Sequence, residues 1–192
     1  MAIVGPGGAL SAKEALRGGA DLVQVRARDF SGRALVELAR AVIAEVGNAG
    51  RVIVNSRPDI AELTGACGVH LPEVGLDSGE VRRAFPRLLL GVSRHDRSGL
   101  DRAVAEGADY AIMGPVLETP GKEDRILGAE GLREALRGLV FPVLAVGGIV
   151  PENAALLIQA GAKGVAAMRP FANSGEAKGQ ASSLRAALDL MR

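Results

Sequence analysis

At 192 residues, 48% hydrophobic but only 3% aromatic, the chain is long enough to bury one core, on the order of 70% of its unfolded surface, built from Leu, Val, Ile and Ala. A formal charge of +1, from 23 basic and 22 acidic residues, excludes the broad positive field that holds a nucleic-acid backbone. The one cysteine, Cys67, rules out an intrachain disulfide and reads as a small core residue. No basic segment followed by an apolar run opens the chain, and no apolar run approaches ~18 residues, so neither export nor a membrane helix is expected and the expected location is the cytoplasm.

In chain order, short apolar or β-branched runs alternate with amphipathic stretches, and no Ser/Pro-rich linker divides residues 1–192 into two domains. The predicted strands are 2–4, 22–26, 51–55, 67–71, 88–93, 109–113, 142–146 and 163–168. The predicted helices are 11–18, 31–47, 57–64, 78–84, 97–106, 129–138, 151–160 and 174–190. In the second of these Leu35, Leu38, Val42 and Val46 recur at helical spacing behind an N-capping Ser31. Pro58 and Pro151 fall early in their helices, where a missing N–H costs little.

A weak repeat, GGADLVQV, TGACGVHL, EGADYAIM and AGAKGVAA, places a Gly-Ala turn between helix end and strand start. Strict alternation implies parallel strands and right-handed crossovers, most economically a single-domain (β/α)₈ TIM barrel. An open doubly wound sheet is the alternative, and both folds collect ligands at the carboxyl ends of their strands.

At those ends, Gly147 and Gly148 follow the seventh strand, with Pro151 opening a helix, and Met168 and Arg169 follow the eighth. Glycines, free N–H groups and a helix start in these two loops make the phosphate seat typical of barrels. In the second strand Gln24, Arg26 and Arg28 share one parity. An Arg at the mouth suits an anionic ligand, the other reading being an internal salt bridge with Asp29 or Glu73. Asn55 and Ser93 offer donors and acceptors at the ends of the third and fifth strands. His95 is a candidate proton carrier and His70 a hydrogen-bonded structural histidine. The long loop after the sixth strand reads as a lid, with Lys122 to reach an anion and Glu118 as acid or base.

The blocks VQVRARD, VNSRPDIAELTGACGVHL, GVSRH, GADYAIMGPVLETPGK and PVLAVGGI occur in order between about residues 19 and 171. Together they resemble the thiamine phosphate synthase and thiazole tautomerase family, which implies a (β/α)₈ barrel working in thiamine biosynthesis. The resemblance puts diphosphate binding on Arg26, a second cation on Arg28, and substrate contacts on Asn55, Ser93 and Lys122. It puts the thiazole-phosphate cradle on Gly147, Gly148 and the backbone around Met168 and Arg169.

The synthase pattern continues with aspartates after strands three and four that coordinate magnesium. The corresponding stretches here are Asn55-Ser56 and Pro72-Glu73-Val74-Gly75. Glu73 or Asp77 is the available substitute. The tautomerase branch shares the absence of the metal pair and the Glu118-Thr119 of the lid, but its histidine corresponds to Pro115.

Three functions are therefore open. The first expectation is a metal-independent isomerase in which Glu118 or His95 moves a proton on a thiazole phosphate. The second is a synthase that joins hydroxymethylpyrimidine diphosphate to thiazole phosphate, with magnesium as its cofactor. The third is a non-catalytic thiazole-phosphate binder or regulator. All three take a small phosphorylated heterocycle, and the resemblance also implies a possible homodimer. A Schiff-base aldolase is disfavoured because none of Lys13, Lys122, Lys163 and Lys178 ends a predicted strand. Two histidines are too few for a metal-dependent epimerase.

Overall fold

A computed structural model of the chain describes residues 1–119 and 126–190. The strands are β1 (Ala2–Val4), β2 (Val23–Val25), β3 (Val52–Asn55), β4 (Gly68–Leu71), β5 (Leu89–Arg94), β6 (Tyr110–Met113), β7 (Val143–Val146) and β8 (Gly164–Ala166). Between and after them lie α1 (Ala9–Arg17), α2 (Gly32–Val46), α3 (Pro58–Thr64), α4 (Ser78–Ala84), α5 (Arg97–Ala105), α6 (Gly128–Leu136), α7 (Pro151–Gln159) and α8 (Ser174–Asp189). The strands pair in sequence order, each parallel to the next.

The last strand meets the first: Ile3 N–H donates to the Ala167 carbonyl at 2.8 Å and Ala167 N–H to the Met1 carbonyl at 3.2 Å. This seam closes the sheet into a (β/α)₈ barrel rather than an open doubly wound layer. Several strands are shorter than their apolar runs, β2 losing both ends and β8 stopping at Ala166. The ladder ends where the chain turns out toward its helix, although Arg26 N–H still reaches the Val4 carbonyl at 2.8 Å.

The Gly-Ala repeat is what delivers strands to this ladder. Gly19, Gly65, Gly107 and Gly161 all have positive φ, between 74° and 107°. In each turn the following Ala N–H reaches back to a helix carbonyl: Ala20 to Ala15, Ala66 to Ala61, Ala108 to Ala103 and Ala162 to Leu157, at 3.0 to 3.1 Å. This is the Schellman closure, in which a left-handed residue satisfies the last free carbonyls. In three cases the next N–H already belongs to the sheet, with Cys67 bonded to Val52, Asp109 to Leu90 and Lys163 to Val143. Helix end and strand register are thus set within two residues. Ser31 caps α2, its hydroxyl accepting from Ala34 N–H at 3.3 Å, and Pro58 and Pro151 occupy first turns as their positions predict.

Side chains alternate along each strand between two apolar compartments. One, between sheet and helices, holds the Val and Leu residues of the outward parity, such as Val25, Val54 and Leu71. The other fills the barrel interior with Ile3, Ile53, Tyr110, Ile112 and Ala166. Tyr110 fits because its neighbour is Gly91: a β-carbon there would lie 2.0 Å from the Tyr110 ring. Cys67 is half-buried, its thiol donating to the Val52 carbonyl at 3.2 Å, and burial pushes its pKa up.

His70 stands inside the barrel, 3% exposed. Its Nδ1 lies 3.3 Å from the Tyr110 hydroxyl and its Nε2 2.9 Å from Ser93 Oγ. Burial, followed by the charges of Arg26 and Arg94, lowers its pKa to about 3. Unfolded, the same imidazole titrates near 6.5. The unfolded chain therefore takes up a proton that the folded barrel refuses, and stability falls as pH drops from about 6.5 toward about 3. Between about pH 7.5 and about pH 5 we expect urea unfolding to lose about 2 kcal/mol through this residue. His70→Asn should flatten that slope, and an unchanged slope in the variant would show that His70 does not titrate in this way.

Candidate active site

The inward parity that carries Ile3 and Ile53 also brings Arg26, Asn55, His70 and Ser93 to the carboxyl end of the barrel. Gln24 lies one layer below Arg26, 1% exposed, its amide 3.9 Å from Met1 Sδ. It supports the mouth from beneath and does not reach the rim. Arg26 is half-buried, and among the described residues no hydrogen bond or ion pair engages its guanidinium. The internal salt bridge considered for it, to Asp29 or Glu73, does not form. Burial first and the neighbouring charge of Arg28 second hold its pKa below the usual guanidinium value. Arg28 itself is exposed on the loop leaving β2.

At the end of β3, Asn55 Nδ2 donates to Ser56 Oγ at 2.6 Å, and Ser56 has a φ of 65°. Arg57 grips Asp59 through two bonds of 2.8 and 2.5 Å. Ser93 faces the mouth and is held from below by His70.

His95 continues the inward parity of β5 to the rim. Its Nδ1 is 2.6 Å from the Gly114 carbonyl and its Nε2 3.0 Å from Glu73 Oε2. A carbonyl oxygen only accepts, so Nδ1 carries a hydrogen. The other ring nitrogen faces the Glu73 carboxylate. The pair ties the loop after β4 to the end of β6. Both ring nitrogens are engaged, and Glu118, the other proposed proton carrier, is exposed.

The loop after β6 lies against the seventh. Val116 N–H donates to the Val146 carbonyl at 2.8 Å and Leu117 N–H to the Gly147 carbonyl at 3.3 Å. Gly147 and Gly148 have φ of 101° and 64°, and a β-carbon on Gly148 would sit 2.5 Å from the Glu118 carbonyl. Asn153 locks this turn, donating to the Gly148 carbonyl at 2.9 Å and accepting from Val150 N–H at 3.0 Å. Met168 and Arg169 are exposed beside it, where a short 3₁₀ turn (Arg169–Phe171) begins. Lys122 lies outside the described residues.

Among the described residues, Glu73, Asp59 and Asp77 do not make a magnesium centre. Glu73 is held by His95, Asp59 by Arg57, and Asp77 caps α4 by accepting from Glu80 N–H at 2.8 Å. No group of three or more His, Cys, Asp or Glu that could hold a metal ion is gathered among the described residues. Hard divalent cations need such oxygen ligands free. A buried ionic cluster that the residue pattern does not reveal lies outside the barrel, where Arg94, 8% exposed, bonds the Gly99 and Ser93 carbonyls and approaches Glu106 at 3.5 Å. A cavity of about 450 Å³ lies at the opposite, amino-terminal end, lined by Leu22, Leu144, Phe171 and Leu184 among others. In barrels that end serves stability rather than chemistry. No helix among the described residues is long and apolar enough to cross a membrane.

Gly148→Ala should destabilise the barrel by about 1 to 3 kcal/mol and speed amide exchange at Val116 and Leu117. Gly47, with a similar φ of 69° and open space around it, provides the control. If Gly47→Ala costs as much in urea unfolding, the close approach of the two loops contributes nothing.

Residues 9–171 match the family model described as thiamine monophosphate synthase. The thiamine-phosphate synthase of Methanoculleus marisnigri is 39% identical over 178 residues, 91% of this chain and 84% of that protein. That of Chlorobium luteolum is 38% identical over 182 residues, 93% and 86% of the two chains. Among solved structures, thiamine phosphate pyrophosphorylase from Pyrococcus furiosus superposes with a TM-score of 0.87 at 26% identity, covering 99% of this chain and 95% of that one. These relatives overturn the expectation of an isomerase with Glu118 or His95 as proton carrier, which agrees with a histidine whose two nitrogens are already occupied. The chain belongs to the thiamine monophosphate synthase family.

Proposed function

We propose that this chain is a thiamine-phosphate synthase, a transferase joining hydroxymethylpyrimidine diphosphate to thiazole phosphate. The observation that carries the reading is the half-buried Arg26 guanidinium, without a counter-charge among the described residues, across the mouth from the Gly147-Gly148 turn. Two anions on one rim need two seats. The turn after β7 and the start of the 3₁₀ segment after β8 suit the thiazole phosphate, through backbone N–H groups and close approach at glycine. Arg26, with Arg28 above it, suits the diphosphate, and Asn55 and Ser93 lie between for ring contacts.

In the reaction the bond between the pyrimidine carbinyl carbon and the diphosphate oxygen breaks, and diphosphate leaves with the electron pair. The thiazole nitrogen lone pair then forms the new C–N bond. No proton has to be moved by the protein, so the lack of a free base at His95 is no obstacle. What the site must supply is alignment of the two rings and stabilisation of the departing anion.

Purified protein incubated with both substrates should form thiamine phosphate and release pyrophosphate in equal amounts. Arg26→Gln should lower kcat/KM by about 100-fold, with Arg26→Lys recovering only part because it keeps the charge without the planar fork. Absence of condensation with and without added magnesium, from protein that still binds thiazole phosphate, would reject the synthase reading.

A further inference from the structure

The donors at the mouth are unevenly committed. Three carboxylates near the mouth are already engaged: Glu73 holds His95, Asp59 holds Arg57, and Asp77 caps α4, and no group of three or more metal-ligating side chains is gathered among the described residues. The cations Arg26 and Arg28 have no ionic partner among the described residues, and Arg26 is half-buried with Arg28 close enough to disfavour its charge. A half-buried cation with a like charge nearby costs stability unless an anion joins it. The electrostatics thus favour a polyanion directly, without a cation placed between it and the protein.

We infer that the diphosphate seat of this chain is built from the Arg26 and Arg28 side chains in place of a carboxylate-held divalent cation, the Glu73 carboxylate being taken by His95. The inference rests on the synthase reading for which anion occupies the seat. Guanidinium groups match phosphate oxygens in a bidentate fork, and a pair of them supplies two positive charges, as one divalent ion does. The Glu73 carboxylate lies 3.0 Å from His95 Nε2. This contact engages a carboxylate that would otherwise repel the anion or be open to a metal.

The test uses the full chain and inorganic pyrophosphate, titrated calorimetrically in EDTA and again in excess magnesium. The seat predicts dissociation constants within about threefold of each other, and a loss of about tenfold or more in both conditions for Arg26→Gln. Arg28→Gln should weaken binding in both conditions by a smaller factor. Binding that appears only with magnesium, or no binding in either condition, would overturn it. The condensation assay separates this result from the synthase reading. Metal-free pyrophosphate binding without condensation rejects the reading and leaves the seat standing, whereas condensation with magnesium-dependent pyrophosphate binding rejects the seat and leaves the reading.

Discussion

Everything at the mouth depends on the closure of one parallel ladder between its first and last strands. The seam is slight, three hydrogen bonds joining Met1 and Ile3 to Val165 and Ala167, yet it turns a row of eight strands into a ring. Once the ring exists, alternation of side chains does the rest. Every second residue of every strand points at the axis, so residues far apart in sequence meet at one end. Arg26, Asn55, His70, Ser93 and His95 converge for this reason and for no local one. In an open sheet the same residues would lie along a face.

The interior is layered so that polarity rises toward the mouth. Apolar Ile3 and Ile53 occupy the lower part, and His70 with Tyr110 and Ser93 forms a neutral hydrogen-bonded floor. Above that floor stand the charges. Because His70 remains neutral, the floor adds no charge of its own beneath Arg26, and the field at the mouth is set by the rim. The glycine at position 91 is part of this arrangement, since it yields the volume that Tyr110 fills.

Much of this was legible in the residues. The Gly-Ala repeats announce four helix ends and the strands that follow, because a left-handed turn is nearly a glycine property. The parity of Gln24 and Arg26 places one below the other, as the structure has them. What could not be read is which partners the charges choose. Glu73 and His95 are brought together by loops from different strands, and no periodicity in the chain encodes that 3.0 Å contact. The absence of the metal aspartates is legible too, but it does not by itself decide the reaction. Similarity over nine-tenths of the chain outweighs two positions when the overall chemistry is the question.

The loops around the mouth differ greatly in length. Between β3 and α3 only Ser56 and Arg57 intervene, whereas the segment leaving β6 climbs two further rungs along the edge of β7 through Val116 and Leu117. The barrel therefore ends as a tilted cup, with a tall wall on one side and a spout at Asn55 on the other. The described backbone thus stands lower beside Asn55 than beside β7, so an incoming molecule meets the least main chain on the Asn55 side.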